Sequence, residues 1–211
     1  MTTSGRPRDI SIPDFLTAVA SADGVHDAVS ASAVVGGIGA SLLLRVAAIP
    51  KTRSKSVDDQ ASFIDVSTAL SGVQEQLMEA IETETAVKIF AARNMPQTSE
   101  RQRTERQAAI QLALRAAADV PLEIMRLCDS GLKLAETVAR HSSRAASADV
   151  QLAVALLHAA FCSARASFEA KLSSLTDTRF ITSVVDEIAR LSDEASRAAR
   201  AAESHLHVPP A

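Results

Sequence analysis

The sequence predicts an all-α fold, a single-domain bundle of about seven helices. No stretch of the 211 residues alternates apolar and polar side chains in the manner of a strand. Seven Gly and seven Pro are few for the many turns of an all-β protein. Hydrophobic residues make up 47% of the chain and aromatic residues only 3%, so the core must be built from Ala, Leu, Val and Ile.

We expect one folded domain over residues 10–205, between disordered tails at 1–9 and 206–211. A net charge of -3 and the absence of Trp and Tyr argue against a nucleic-acid partner, which needs a basic face and stacking platforms. No apolar segment follows the polar first residues, so no signal peptide is predicted. The uncharged stretch Ala28 to Leu44 is short and contains glycine, so we expect a buried helix, no membrane partner and a cytoplasmic protein.

Capping and periodicity locate the first three helices. Ser11 is the predicted N-cap of a short helix that ends near Gly24. A second helix covers about Ala28–Ala48 and stops before Pro50, and its small residues allow another helix to pack closely. A third helix begins at Ser56, and its apolar residues recur at helical spacing: Val66, Leu70, Val73, Leu77 and Ile81.

The second half of the chain is predicted to hold the remaining helices. The polar stretch 94–106 is predicted to be a loop. Pro121 is predicted to divide the next segment into two helices, one ending at Val120 and one fading at His141. The stretch 145–171 is apolar nearly all round, so it is predicted to be a central helix buried on most sides. The last helix has near-heptad spacing suited to one long partner: Ile181, Val184, Ile188, Leu191, Ala195, Ala198 and Ala202.

No residue pattern indicates a metal site or a tightly bound cofactor. The five histidines are scattered, and neither a phosphate-binding loop nor a nucleophile elbow is present. Cys128 and Cys162 lie within apolar helical patterns and are expected to be buried, reduced thiols. His158 is expected to be a hydrogen-bonded core histidine.

Asp149 is a carboxylate at the entrance of the apolar helix. One interpretation is a charge that stabilises the helix N-terminus. The other is a general acid/base group at the mouth of an apolar pocket. The residue pattern leaves both interpretations open.

Several short segments form a recognisable pattern, most of them within the stretch 93–149. They are Pro96, Thr98, Ile110-Gln111-Leu112-Ala113-Leu114, Val120-Pro121-Leu122 and, near the start of the chain, Asp14-Phe15-Leu16. With these segments the chain resembles the cyclodeaminase/cyclohydrolase family, which contains the formiminotransferase-cyclodeaminases and the bacterial methenyltetrahydrofolate cyclohydrolases. The resemblance covers about residues 12–195, and it implies an all-α bundle that forms homodimers and a tetrahydrofolate derivative as substrate.

The resemblance also implies site residues, several of which depart from the family pattern. A Pro-Gly-Gly-Gly-Ser turn of the family aligns with residues 26–30, where only Ser30 is retained. Two family asparagines correspond to Arg165 and Glu169, for which an ion pair on one helix face is the simpler interpretation. Asp149 is the implied catalytic residue. The implied substrate-binding residues are His26, Asp27, Ser30, Arg53, Lys55, Ser143 and Arg165.

Three functions are compatible with this pattern. The first is an enzyme acting on a carbon–nitrogen bond of a folate one-carbon unit, with Asp149 as general acid/base and Arg53 and Lys55 receiving the glutamate tail. The second is the same scaffold used for cyclisation or dehydration of a non-folate substrate in specialised metabolism, which the altered glycine turn favours. The third is a non-catalytic helical dimer.

Overall fold

The computed structural model describes residues 10–21, 27–49, 57–81 and 85–206, without the side chains of 57–63 and 85–87. Within these ranges the chain forms seven α-helices and no strand, which confirms the predicted all-α bundle. Leu206, assigned above to the tail, is the last residue of a helix. The helices are α1 (Ile12–Ala20), α2 (Ala28–Ala48), α3 (Val57–Ala80), α4 (Thr85–Arg93), α5 (Glu100–His141), α6 (Ser147–Leu172) and α7 (Thr178–Leu206).

Helices α2 and α6 pack against each other in antiparallel orientation. The Ser32 hydroxyl donates to Ser163 at 2.8 Å near one end, and Arg45 pairs with Asp149 near the other. Gly39 allows the close approach, because a Cβ placed there would lie 3.0 Å from the Ala153 carbonyl oxygen. The small residues of α2 are therefore required for its contact with α6, as the sequence predicted.

Helix α3 covers α2 with the apolar stripe expected from its spacing. Val66, Leu70 and Val73 are buried, and Leu70 has no exposed surface. Gly36 of α2 faces Leu77, whose Cδ1 would be 3.2 Å from a Cβ at that glycine. The third predicted helix is thus confirmed as a core element.

Helix α5 runs without interruption through Pro121, so the predicted division of this segment into two helices is wrong. The missing N–H of Pro121 removes one helical hydrogen bond, at a cost of about 3 kcal/mol. The helix continues because its apolar residues on both sides of the proline are buried against the rest of the bundle. Ala118 before the proline and Leu122, Ile124 and Met125 after it have at most 2% of their surface exposed. Tertiary packing therefore outweighs the local penalty.

The predicted loop 94–106 is also wrong over its second half, because α5 begins at Glu100. Ser99 and Gln102 form a capping box, in which each side chain bonds the other residue's backbone N–H. Arg101 and Glu105 add an i,i+4 ion pair at 2.8 Å. A polar sequence therefore forms a helix here through capping and side-chain pairs.

Helices α5 and α7 run parallel, and ion pairs mark their register. Contacts join Arg115 to Asp177 at 3.3 Å, Arg126 to Glu187 at 2.7 Å, and Lys133 to Glu194 at 2.6 Å. The heptad-like residues of α7 face this long partner, as predicted, and Ile181 alone among them is only partly buried. The buried ones are Val184, Ile188, Leu191, Ala195, Ala198 and Ala202.

Helix α6 is less enclosed than the sequence predicts. Its inner side packs on α2, α5 and α7, while Leu152 is 51% exposed on the outer side. Cys162 is exposed as well, so only Cys128 is the buried thiol that was expected. His158 is half-buried, and its Nε2 lies 4.0 Å from the Cys162 sulfur. Apolar composition alone did not reveal that one side of α6 is exposed in the described part of the chain.

Within the described residues, two helical stretches are long and apolar enough to cross a membrane by length and composition. They are Ala28–Ala48 and Arg144–Leu172, with 44% and 39% of their apolar windows buried inside the fold. A core helix of a globular protein meets the same two conditions.

Candidate active site

Asp149 lies in the first turn of α6 and is held by an arginine of the neighbouring helix. Nη1 of Arg45 donates to Oδ2 of Asp149 at 3.0 Å. The Asp149 side chain is 31% exposed and that of Arg45 is 67% exposed, so the pair borders solvent. Among the described residues, no donor contacts Oδ1. The contact with Arg45 therefore fixes the carboxylate through Oδ2.

The ends of two other helices lie near the Arg45–Asp149 pair. Helix α2 ends at Ala48, α5 ends at His141, and a 3-10 turn at Arg144–Ala146 leads into α6. Ser143 immediately precedes this turn and is exposed at the same end of the bundle. Arg53 and Lys55 follow α2 in sequence but lie outside the described residues. We call this region, with Arg45, Ser143 and Asp149, the carboxylate end.

Three other predicted residues, Asp27, Ser30 and Arg165, lie at the opposite end of the α2–α6 pair. Asp27 is the N-cap of α2, and its Oδ1 accepts hydrogen bonds from the N–H groups of Val29 and Ser30 at 2.9 and 3.2 Å. Arg165 forms an i,i+4 ion pair with Glu169 at 2.8 Å. That contact is the simpler interpretation foreseen for this pair. His26 lies outside the described residues. We call this region, with Asp27, Ser30 and Arg165, the cap end.

Within one chain, the residues of the carboxylate end and those of the cap end lie far apart. Asp27 and Arg45 are 18 positions apart on α2, or about 27 Å at 1.5 Å per residue. Asp149 and Arg165 are 16 positions apart on α6, or about 24 Å. A single folate-sized ligand in one copy therefore cannot contact Asp149 and the whole cap end at once.

Two open clefts lie elsewhere on the surface. The first has a volume of about 630 Å³ beside the start of α5, and its lining includes Arg103, Arg106 and Gln111. The second has a volume of about 430 Å³ between α3 and α5, and its lining includes Glu79, Asp119 and Glu123. Neither cleft is lined by a predicted site residue. The described residues contain no group of three or more side chains placed to hold a metal ion.

Asp129 is a buried carboxylate that sequence reasoning did not single out. It is 3% exposed on α5, and its Oδ2 accepts from Nζ of Lys133 at 2.7 Å. Its Oδ1 is buried with no hydrogen-bond partner among the described residues. Lys133 also contacts Glu194 of α7, so the Asp129 carboxylate is part of the charged contact between α5 and α7. The i,i+4 spacing of Asp129 and Lys133 was the signal that could have indicated the pair.

The fold and the carboxylate end define a class of protein: an antiparallel helical layer on a helical bundle, with an arginine-bound aspartate at a helix N-terminus. The family model described as Formiminotransferase-cyclodeaminase matches residues 11–190. The chain therefore belongs to that family, and the resemblance noted in the sequence is confirmed.

Two individual proteins resemble the chain over most of its length. A methenyltetrahydrofolate cyclohydrolase of Methylorubrum extorquens is 29% identical over 187 residues, which cover 88% of this chain and 90% of that protein. The crystal structure of formiminotetrahydrofolate cyclodeaminase from Thermotoga maritima superposes with a TM-score of 0.83 at 19% identity. The match covers 94% of this chain and 96% of that one, and it supports the fold.

Proposed function

We propose that this protein is an enzyme that acts on a carbon–nitrogen bond of a folate one-carbon unit, in the manner of a cyclohydrolase or cyclodeaminase. Family membership and the similarity to a methenyltetrahydrofolate cyclohydrolase over nearly the whole chain support this proposal. The observation that carries it at the level of residues is the contact between Asp149 and Arg45. A carboxylate held in a fixed orientation by a neighbouring arginine is suited to general acid/base chemistry.

In the proposed cyclohydrolase reaction, water adds to the electron-poor methenyl carbon. Asp149 accepts a proton from the attacking water as the new carbon–oxygen bond forms. The resulting carbinol then loses its hydroxyl proton to solvent as it collapses to a formyl group. One carbon–nitrogen bond breaks, and the departing nitrogen keeps the bonding electron pair and takes up the proton held by Asp149, so that one proton is released overall. Arg45 would hold Oδ2 in place, so that Oδ1 faces the water. The N-terminus of α6 adds a favourable field for the negative carboxylate.

The substrate is proposed to be a tetrahydrofolate derivative whose glutamate tail meets positive charge near the carboxylate end. Arg53 and Lys55 are the proposed contacts, on the strength of the family resemblance and of their position in sequence after α2. Cationic side chains are suited to a polyanionic tail. No tightly bound cofactor is proposed beyond this substrate.

Calorimetric titration tests the proposal directly. Wild-type protein and the Asp149→Asn variant are titrated with tetrahydrofolate and with 5-formyltetrahydrofolate. We expect saturable binding in the micromolar range, about -8 kcal/mol, in both proteins, because Asn keeps the shape of the side chain. Hydrolysis of a methenyl substrate should then be lost in the variant alone. Absence of heat at high ligand concentration in the folded wild type would contradict a folate substrate.

One observation favours the second candidate, a non-folate substrate. The backbone N–H groups at the start of α2 are occupied by Asp27, whereas the glycine turn of the family would leave such groups free. A cap end changed in this way is suited to a different ligand, as in a cyclase or dehydratase of specialised metabolism. Activity on a non-folate substrate that is lost in Asp149→Asn, together with no folate binding, would select this candidate. The third candidate, a non-catalytic dimer, requires that Asp149→Asn change no activity.

A further inference from the structure

The first turns of α5 extend beyond α6 and α7. Gln111 of α5 bonds the turn that joins those two helices: its Nε2 donates to the Ser174 carbonyl at 3.2 Å, and its Oε1 accepts from the Thr176 N–H at 3.0 Å. Because α6 ends before this turn and α7 begins after it, residues 100–110 of α5 lie past both helices. This segment is about 16 Å long.

Helix α4 packs against this extended part of α5. The two helices are joined by the short loop 94–99, and Ala92 of α4 is buried. Nε and Nη2 of Arg106 donate to the Arg93 carbonyl oxygen at 3.0 and 2.8 Å, so the end of α4 is fixed to α5. We call residues 88–112, which form this pair of helices, the projecting hairpin.

The projecting hairpin is basic, although the whole chain is acidic. It has five basic and two acidic residues, whereas the rest of the chain has 17 basic and 23 acidic residues. Arg101 and Arg103 pair with the two glutamates of the hairpin at 2.8 and 3.6 Å. The other three basic residues have no carboxylate partner among the described residues: Lys88, Arg93 and Arg106.

The cleft of about 630 Å³ beside the start of α5 lies on this hairpin. It follows α5 from Glu100 to Gln111, and Arg103 and Arg106 are part of its lining. That path is about 16 Å long, which is the length of about five residues of an extended peptide. The cleft therefore has the length and the positive charge to receive a short acidic segment.

Two large apolar side chains are exposed on the same hairpin. Phe90 of α4 and Leu112 of α5 are each 71% exposed. Leu112 adjoins Gln111 of the cleft lining and lies one turn after Ala108, which also lines the cleft. Exposed apolar side chains beside cationic ones are typical of surfaces that bind other proteins.

We propose that the projecting hairpin docks an acidic segment of another protein. Carboxylates of that segment bind Arg103 and Arg106 in the cleft, and its apolar side chains cover Leu112. The inference does not rest on the proposed function. Helix α6 is about 34 Å long from Asp149 to Leu172, and the hairpin lies beyond the end with Leu172.

Charge pattern and composition favour an acidic peptide over a nucleic acid. Glu100 lines the cleft together with the arginines, and Glu105 follows it on α5. These carboxylates would repel a continuous phosphate backbone, whereas a peptide can place its own carboxylates only where the arginines lie. Phe90 is the only aromatic residue of the hairpin, so no row of stacking platforms for bases is present on it.

Fluorescence anisotropy with a labelled synthetic peptide tests the proposal without an activity assay. The probe has about six residues, about 20 Å when extended, with Leu at every third position and Glu elsewhere. A second peptide has Gln in place of Glu. We expect saturable binding of the Glu peptide to the wild-type protein and binding of the Gln peptide that is about tenfold weaker or more. Added salt should weaken the binding of the Glu peptide, because the charges that meet are exposed.

Substitution of the arginines locates the binding site. Arg103→Gln/Arg106→Gln should bind the Glu peptide about tenfold more weakly or worse, with circular dichroism as the check on folding. Arg93→Gln/Arg103→Gln is the second variant, in case loss of the Arg106 contacts detaches α4. Arg93 takes part in those contacts through its backbone carbonyl, which the substitution retains.

Arg197→Gln/Arg200→Gln is the matched control. Both arginines are exposed on α7, and the double substitution changes the net charge by the same amount. Arg197 also resembles Arg106 in its contact, because its Nε donates to a backbone carbonyl, that of Asp193, at 3.3 Å. The control should bind the Glu peptide as the wild-type protein does.

Four outcomes would overturn the proposal. They are absence of saturable binding of the Glu peptide at low salt, equal weakening in the hairpin variants and the control, tighter binding of a single-stranded oligonucleotide to the hairpin, and dissociation of a wild-type oligomer by the hairpin substitutions. The third would make a phosphate chain the occupant, and the fourth a second copy of this chain. Asp149→Asn should bind the peptide like the wild type, so a failure of the proposed folate chemistry leaves this test unaffected.

Discussion

At the scale of single residues, the contact of Asp149 with Arg45 changes how the aspartate is understood. The sequence left open a helix-terminal charge or an acid/base group. The structure adds an arginine 104 positions away in sequence, and it binds one carboxylate oxygen. A carboxylate held by an arginine is compatible with both interpretations, so substitutions of Arg45 are needed to distinguish them.

We expect Arg45→Met to lower turnover about tenfold or more, because Asp149 loses the group that orients it. The free energy of unfolding should change by less than about 1 kcal/mol, since the pair borders solvent. Arg45→Lys should recover part of the activity. Steady-state kinetics with urea unfolding measures both effects. Unchanged kcat in Arg45→Met would contradict a positioning role.

Two glycines make a matched pair for the packing of α2. A Cβ at Gly39 would lie 2.9 Å from Cγ of Leu157 and 3.0 Å from the Ala153 carbonyl, so we expect Gly39→Ala to destabilise the protein by about 1–3 kcal/mol. A Cβ at Gly72 meets only Gln76, at 3.8 Å. Gly72→Ala should therefore stabilise by about 0.5–1 kcal/mol through helix propensity. Equal effects in urea unfolding would refute the close approach of α2 and α6.

At the scale of elements, α5 shows where local sequence signals fail. Pro121 and the polar stretch before it both argue against a helix, yet α5 covers 42 residues. The capping box at Ser99 starts the helix, and buried residues on both sides of the proline hold it together. A local sequence signal changes the free energy of the helix only near that signal. Packing of the helix in the bundle contributes a larger stabilising free energy.

The proline provides a direct measure of that balance. Pro121→Ala restores an N–H group that can donate to the carbonyl of Ala117, but it also removes the packing contacts of the buried ring. We expect a net gain in the free energy of unfolding of about 1–2 kcal/mol. Thermal unfolding measures the change. A clear loss of stability would mean that the ring contributes more through packing than the missing hydrogen bond costs.

The contact of α5 with α7 predicts sensitivity to acid. Lys133 and Arg190 lower the pKa of Glu194 to about 2 from an ordinary 4.5, and Arg126 lowers the pKa of Glu187. A lowered carboxyl pKa contributes stability above pH 4.5, and this contribution is lost as the pH falls toward 2. The free energy of unfolding should therefore fall across this range.

The Glu194→Gln variant isolates the contribution of Glu194. The variant should be less stable than wild type at pH 7 and show a shallower decline between about pH 4.5 and 2. Urea unfolding at a series of pH values measures both quantities. Parallel pH profiles of the two proteins would contradict a stabilising role for the contacts of Glu194.

At the scale of the whole molecule, the terminal helices contribute unequally. Helix α7 buries seven residues, mostly against α5, whereas α1 has no buried residue. We expect a chain without residues 178–211 to lose cooperative unfolding, because the apolar side of α5 becomes exposed. A chain without residues 1–21 should keep its melting temperature within a few degrees. Circular dichroism during heating compares the two, and equal losses would contradict this division.

The residues of the candidate site could be predicted from the sequence pattern and the family resemblance, but their arrangement in space could not. Asp149 was singled out by its position before an apolar helix, and Asp27 by alignment with a glycine turn. No sequence pattern indicated that these two residues lie at opposite ends of one layer. Helix direction and neighbour contacts set that distance, which a linear motif does not contain.

The sequence by itself determined the all-α class, the bounds of α2, the apolar stripes of α3 and α7, and the family, because helical periodicity and capping are local properties. The tertiary structure decided that α5 passes through Pro121, that one side of α6 is exposed with Cys162, and that Arg45 binds Asp149. These features depend on which surfaces meet in space. Burial and pairing between distant segments have free energies that no single stretch of sequence specifies.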